Sequence, residues 1–389
     1  MEWTICGLTA QPGEKVQGYF AGPDGEKTIP ICLIHGTKPG KTVLLTAGVH
    51  ACEYPGAAAV MELCRELEPS QVSGRLILVP MLNVSSFYER LPFVVKEDGK
   101  NLNRMFPGDP QGSYSQQLAA QIQRELHAKA DYLIDIHSGD APELVMPFVY
   151  YPALARPEVL AESQRMCRAM SVACRVASTS MVGTSGTAAA IGTPAILIER
   201  GGQSGCSPED QAAYREDLLS ILAELGCLER PVTGNPRQMD ITETAYYDAE
   251  ANGCWHLLRQ PGEEFQAGDC LGRLTDFFGT ALQEITAPWD GFVLYGIVAL
   301  GVRAGESLLA LARPPRGETE KTPAHVMGPE FFDSGEVIQR NLPRSCPVRR
   351  RQRSSRFHLL RSCPRRQRFR RPDSRQWCRT SLQKRFRPR

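Results

Sequence analysis

The chain has 13 cysteines but no C-x-x-C pair among them, and their spacings are irregular. That argues against a zinc site built on paired cysteines, and at 389 residues without a secretory pattern it argues against a disulfide framework. The opening residues Met1-Glu2-Trp3-Thr4 show no basic stretch followed by an apolar one. No apolar run approaches the roughly 18 residues that a membrane helix needs, so no membrane partner is expected. Lysine is missing between Lys129 and Lys321, and residues 341–389 contain no Ala, Gly, Ile, Glu, Met or Tyr. These absences describe a globular protein of a reducing, cytoplasmic compartment, followed by a C-terminal stretch of different composition.

Charge divides the chain at the same place. The net charge is only +2, yet residues 340–389 hold 19 bases against the single acid Asp373, and the preceding 339 residues hold 26 bases against 42 acids. An acidic body is not made to bind polyanions, so nucleic acid is a partner only through the Arg-rich tail. Leu, Ile, Val and Phe supply 8 of the last 50 residues, too few to bury a core against that charge. We expect residues 314–389 to be a linker and a disordered tail. Its turn to Arg, Pro, Ser, Cys and Gln resembles a GC-rich gene translated in the wrong frame, with a binding arm for RNA or membrane as the other reading.

What is present in the body is an alternation of strands and helices. Short apolar runs at Ile31 to Ile34, Thr42 to Val49, Arg75 to Val79, Ala130 to His137 and Ala195 to Glu199 read as buried strands. Helical patterns lie between or after them, at Gly56 to Leu67, Ser115 to Ala128, Pro157 to Met170 and Pro208 to Leu225; the last two open on Pro, which suits a first turn. The alternation predicts an α/β domain over residues 1–235, with a mostly parallel sheet covered on both faces. In such sheets, ligands sit beyond the carboxyl ends of the strands.

From about residue 236 the helical period fades. Short runs at Gly253 to Leu258, Cys270 to Leu274, Gly291 to Ile297 and Ser307 to Leu311 are separated by Gly, Pro and Asp, which predicts a small β-barrel-like domain over 236–313. Its texture resembles the biotinyl and lipoyl carriers. Because those need an acceptor lysine and the segment has none, a structural or substrate-capping role is the expectation.

Chemistry concentrates after the strands. Of seven histidines, His35, His50 and His137 each close an apolar run. His50 opens His50-Ala51-Cys52-Glu53, whose spacing puts an imidazole and a carboxylate on one side of a helical turn. Two histidines and one carboxylate hold zinc while leaving a position for water, the pattern of hydrolytic sites. Asn101-Leu102-Asn103-Arg104 sets an amide beside a guanidinium, suited to gripping a carboxylate. Glu199 ends a buried strand, where an acid is costly unless paired or functional. For other residues the bland reading is preferred: His35 as a strand cap, Cys52 as a packed neighbour, and Gly183-Thr184-Ser185-Gly186-Thr187 as a flexible loop without the lysine of a phosphate-binding loop. Asp135, two residues before His137 on the same strand face, is read either as a support for that histidine or as a local structural group.

Four pieces in order, Gly48-Val49-His50-Ala51-Cys52-Glu53-Tyr54, Asn101 to Gly108, Asp135-Ile136-His137-Ser138 and Glu199-Arg200-Gly201-Gly202, resemble the succinylglutamate desuccinylase and aspartoacylase family of the zinc carboxypeptidase superfamily. The resemblance implies a zinc-carboxypeptidase-like, mostly parallel or mixed sheet flanked by helices, plus the small β domain. It implies one zinc ion per chain on His50, Glu53 and His137, with Glu199 as acid/base. Asn103 and Arg104 would hold the substrate carboxylate, and Arg90 would polarise the scissile carbonyl. Many relatives carry Asp where this chain has Asn101, which can accept a hydrogen bond from a ligand histidine but lacks the charge that raises its basicity. The implied activity is hydrolysis of a small-molecule N-acyl amino acid. A carboxypeptidase for short peptides is the alternative within the same machinery, and an inactive homologue is disfavoured because every ligand type and Glu199 are present. Homo-oligomerisation is left open.

Overall fold

The computed structural model describes residues 2–315, so the expected linker and tail lie outside the described residues almost entirely. Each apolar run singled out above falls in a strand: Lys27–His35, Lys38–Ala47, Ser73–Val79, Tyr132–Ile136 and Ala195–Gly202. The four helices are Tyr54–Glu66, Tyr114–Glu125, Pro157–Arg168 and Pro208–Glu224. Local chemistry explains their starts. Pro55 occupies the first turn of the first helix, where its missing N–H costs nothing. The last helix is capped by Ser207, whose hydroxyl accepts from the Asp210 amide at 3.0 Å.

These elements join a sheet of 13 strands. Across its middle run Ser73–Val79, Lys38–Ala47, Tyr132–Ile136 and Ala195–Gly202, all paired in parallel. On either side the pairing turns antiparallel, with Lys27–His35 against Ser73–Val79 and Glu143–Pro152 against Ala195–Gly202. The sheet is therefore mixed, as the resemblance allows: parallel at its centre and again where Cys174–Ser178 joins Glu143–Pro152. Helical crossovers are needed only between parallel neighbours. Of the reversed strands, Lys15–Ala21 mixes polar and apolar residues, while Glu143–Pro152 is apolar after Glu143 but carries Pro147 in its interior, at a register shift against Ala195–Gly202, and an internal Pro argues against a central strand.

Side chains alternate between two cores. Ile134, Ile136, Ile196 and Ile198 face one cluster, with Ala57, Val60 and Leu63 of the first helix and Leu218, Ile221 and Leu222 of the last. Leu33, Leu44, Ile77 and Leu133 face the other, with Leu118, Ala119 and Ile122 of the helix Tyr114–Glu125. Both faces are thus covered, as expected. Gly56 lets the first helix start directly on the sheet: a Cβ there would stand 2.1 Å from Ile136 Cγ2.

The reversal of Lys27–His35 also explains His35. Its Cα partner is Arg75, at the start of Ser73–Val79, so His35 sits at the opposite end of the sheet from the residues that follow the parallel strands. There its Nδ1 meets the Ala10 carbonyl at 3.1 Å, a structural contact.

The β-rich stretch after residue 236 is present, with its own core around Trp255, Phe265, Leu271, Leu274 and Ile285. Gly253–Leu257, Cys270–Thr275, Ala281–Thr286 and Gly301–Val302 form a separate four-stranded sheet. Gly291–Ile297, however, pairs with Glu143–Pro152 and so extends the large sheet. The division at 235/236 marks a change of texture, while hydrogen bonding runs across it. Among the described residues, no helix is long and apolar enough to cross a membrane.

Candidate metal centre and active site

The carboxyl ends of the two central strands Lys38–Ala47 and Tyr132–Ile136 deliver His50 and His137 to one place. His50 follows the first by three residues and His137 follows the second directly. Their rings lie 5.1 Å apart between centroids. Glu53, at the start of the first helix, stands between them, with Oε1 2.7 Å from His50 Nδ1 and Oε2 3.0 Å from His137 Nδ1. Donor atoms of the three residues all lie within 4.8 Å of one another.

Each imidazole is held from behind by an atom that can only accept. His50 Nε2 donates to Asn101 Oδ1 at 3.1 Å, and His137 Nε2 donates to Asp135 Oδ2 at 3.0 Å. With the proton fixed on Nε2, each Nδ1 lone pair turns to the Glu53 side. Asn101 therefore keeps the orienting bond that the sequence left open, without the charge. Asp135 is more than a local structural group: Thr46 Oγ1 donates to its other oxygen at 2.8 Å, and Thr184 Oγ1 donates to Oδ2. Tyr214, fully buried, donates to the carbonyl oxygens of His137 and Arg200 and so fixes the backbone beneath the second histidine.

The electrostatics of the cluster are those of a cation site. Burial alone would push the Glu53 carboxyl up, but the flanking His50 and His137 outweigh it and hold it down to about 2. Burial pulls both histidines down, and neighbouring carboxylates reverse this: Glu53 raises His50, while Asp135 and Glu53 raise His137. Positive charge is thus stabilised beside Glu53, as a bound divalent cation would need. Two nitrogens and one carboxylate oxygen, each supported by a further hydrogen bond, fit zinc.

Glu199 lies on the neighbouring strand. The register pairs Leu197 with Asp135 and Ile198 with Ile136, so the next step sets Glu199 beside His137, on the sheet face that also carries Asp135 and Thr46. Its Oε2 is buried and has no hydrogen-bond partner among the described residues. Burial first, then the negative charges of Glu53, Glu143 and Asp135, push its carboxyl well above the ordinary value against the pull of His137. A carboxyl that carries its proton towards neutrality suits acid/base work.

The remaining expected residues are placed less uniformly. Asn103 is buried, and its Oδ1 accepts from the Thr184 amide at 3.0 Å. Arg104 is exposed and makes no ion pair among the described residues. Arg90 is exposed too, capping the short helix Val84–Glu89 in a left-handed conformation (φ 54°). It is not joined to the His–Glu–His cluster by any bond. Cys52 is buried beside that cluster without being a ligand.

Several site residues had not been read from sequence. Asp140 binds the Phe93 amide at 2.7 Å, beside His50, and Glu143 accepts from the Asp140 amide at 3.3 Å. Burial, reinforced by Glu53, raises them to about 6 and about 7. Their signal was weak, two acids in a polar stretch just after His137. The Gly183 to Thr187 segment is not a loop: it opens the helix Gly183–Ile191. Its Gly and Thr content hid a helix whose later turns are alanine.

A mixed α/β sheet with a His–Glu–His cluster at the carboxyl ends of its middle strands is an arrangement that could hold a metal ion. Residues 39–225 match the family model described as the Succinylglutamate desuccinylase/Aspartoacylase catalytic domain, which gives that segment of the chain its family. It is 27% identical over 300 residues to an N-alpha-acetyl-L-2,4-diaminobutyric acid deacetylase of Halomonas elongata, covering 74% of this chain and 86% of that protein. Its fold superposes on a succinylglutamate desuccinylase from Silicibacter sp. TM1040 with a TM-score of 0.69 at 27% identity, over 77% of this chain and 95% of that one. The ectoine utilization protein EutE (DoeB) of Ruegeria pomeroyi, in a product-bound structure, gives a TM-score of 0.69 at 25% identity, over 77% and 95% of the two chains.

Proposed function

We propose that this protein is a zinc-dependent deacylase, with one zinc ion per chain held by His50, Glu53 and His137, that hydrolyses an N-acyl amino acid to a carboxylate and a free amino acid. The observation that carries the proposal is the convergence of those three donors within 4.8 Å, with the unpartnered carboxylate of Glu199 on the same sheet face. The relative from Halomonas elongata is named for cleaving one such amide.

When bound, zinc supplies an electrophile and lowers the pKa of water from 15.7 towards about 7. The rest is the work of the chain. Glu199 accepts a proton from the attacking water and returns it to the leaving nitrogen, a transfer worth about 10²- to 10⁴-fold. Its buried carboxyl, raised by desolvation and surrounding acids, takes that proton more readily than an ordinary carboxylate would. Asn103 and Arg104 take the carboxylate of the amino acid and fix the amide over the centre. Arg90, exposed and without an ion pair among the described residues, is assigned to the carbonyl oxygen, where charge develops as the tetrahedral centre forms. Tyr246 and Tyr295 reach the Tyr150 side of the site from the β-rich segment, with Tyr150 and Tyr246 hydroxyls 3.2 Å apart. That contact supports reading the segment as a cap on substrate length.

The test is a panel of N-acyl amino acids and short peptides offered to the zinc-loaded protein, with amine release measured. Release from N-acyl amino acids alone is expected. Preferential release of C-terminal residues from peptides would replace the proposal with a carboxypeptidase.

A further inference from the structure

Thr184 is buried completely, on the second residue of the helix Gly183–Ile191. Its two polar groups point at different arms of the site. The hydroxyl donates to Asp135 Oδ2, the same oxygen that receives His137 Nε2 at 3.0 Å. The backbone N–H donates to Asn103 Oδ1 at 3.0 Å. The hydroxyl lies 3.5 Å from that same Asn103 oxygen, so the short contact to Asp135 claims its single proton. One residue therefore ties the support of a metal ligand to the support of a carboxylate-binding amide.

Both connections have consequences. Among the described residues, His137 is the one partner that can neutralise Asp135; Thr46 and Thr184 supply neutral hydroxyls, one to each oxygen. Two donors on two oxygens leave the carboxylate no freedom to rotate away from the ring. On the other side, the N–H bond settles which end of the Asn103 amide faces the helix. With Oδ1 committed, its NH₂ end is left to donate, the end that an anionic carboxylate needs. Gly183 makes room for this: it has φ +83°, and a Cβ there would stand 2.7 Å from Asn103 Oδ1.

We infer that Thr184 is a positioning residue that acts on metal binding through its hydroxyl and Asp135, and on substrate-carboxylate binding through its backbone N–H and Asn103. The inference rests on the zinc deacylase reading for its second arm, while its first arm needs only that the chain bind zinc. The two arms separate by substitution. Thr184→Val keeps shape and the backbone N–H but removes the hydroxyl. Gly183→Ala keeps the hydroxyl but crowds Asn103.

The experiment measures zinc dissociation constants by chelator competition, and KM and kcat at saturating zinc, for the full chain and three variants. Thr184→Val should bind zinc about ten- to a hundredfold more weakly with KM within twofold of wild type. Thr184→Ser, which restores the hydroxyl, should bind zinc within twofold of wild type. Gly183→Ala should raise KM about tenfold and leave the zinc constant unchanged. Wild-type zinc affinity in Thr184→Val overturns the inference, as does a tenfold loss in folded Thr184→Ser. Should the wild type bind zinc but hydrolyse none of the offered amides, the deacylase reading fails while the zinc comparison still decides the role of the hydroxyl.

Discussion

Asn101 is the position where a single atom change should improve this site. Its Oδ1 accepts from His50 Nε2 at 3.1 Å. Asn101→Asp would add a negative charge at that point without changing shape. At this separation a unit charge pair is worth about 1 kcal/mol at the dielectric of water and about 5 kcal/mol at an effective value of 20. The His50 side chain is only 12% exposed, so the interaction lies above the aqueous limit. The same charge favours a proton on His50, which competes with a cation for Nδ1; a dication gains more than a proton does, and the difference survives. Supporting carboxylates typically change metal affinity 10- to 100-fold, about 1.4 to 2.8 kcal/mol, inside that bracket. Chelator competition at pH 7.5 should therefore show Asn101→Asp binding zinc about tenfold more tightly than wild type. Asn101→Ala, which frees the ring, should bind it at least about tenfold more weakly. An aspartate variant no tighter than wild type, or an alanine variant equally tight, would refute the placement of Asn101 behind a metal ligand.

Other consequences are as direct. Glu199→Gln should lower turnover by at least about 10²-fold while elemental analysis still finds about one zinc per chain, and near-wild-type rates would remove Glu199 from its role. His50→Ala should strip the metal, and full occupancy in that variant would break the ligand set. Glu143, held up to about 7 by burial, titrates near 4.3 when unfolded. Between those values the folded state binds the extra proton, so stability falls as pH rises. Metal-free Glu143→Gln should therefore gain Tm over wild type at pH 8 and lose the gain below about pH 4; an equal difference at both values contradicts the shift. Tyr214→Phe keeps the buried ring but abandons the His137 and Arg200 carbonyls. It should cost about 1 to 3 kcal/mol in urea denaturation, and a change below measurement error would refute that bond.

Legibility in the sequence followed burial. Strands buried on both faces announce themselves as apolar runs, unbroken at residues 195–198 and broken only by Asp135 in Tyr132–Ile136, and the residues that follow them, His137 and Glu199, were found because a polar group there is expensive. Lys15–Ala21 mixes apolar and polar side chains, Glu143–Pro152 carries an internal Pro147 that argues against a central strand, and both were missed. With them went the antiparallel flanks of the sheet and the acids Asp140 and Glu143. His35 closes an apolar run just as His50 and His137 do, and what sets it apart is strand direction, a property of pairing that no run of residues displays. Thr184 was hidden for a related reason. Its partners Asp135 and Asn103 lie 49 and 81 positions away, and only the docking of a short helix on the sheet brings them together.

The central claim is that three donors, His50, Glu53 and His137, hold a zinc ion that the deacylation requires. The measurement that tests it most directly is amine release from N-acyl amino acids by one protein sample, first loaded with stoichiometric zinc, then stripped by chelator, then reloaded. The account predicts that release follows zinc through all three stages and is lost in His50→Ala at every stage. Release that persists after complete removal of metal would contradict it.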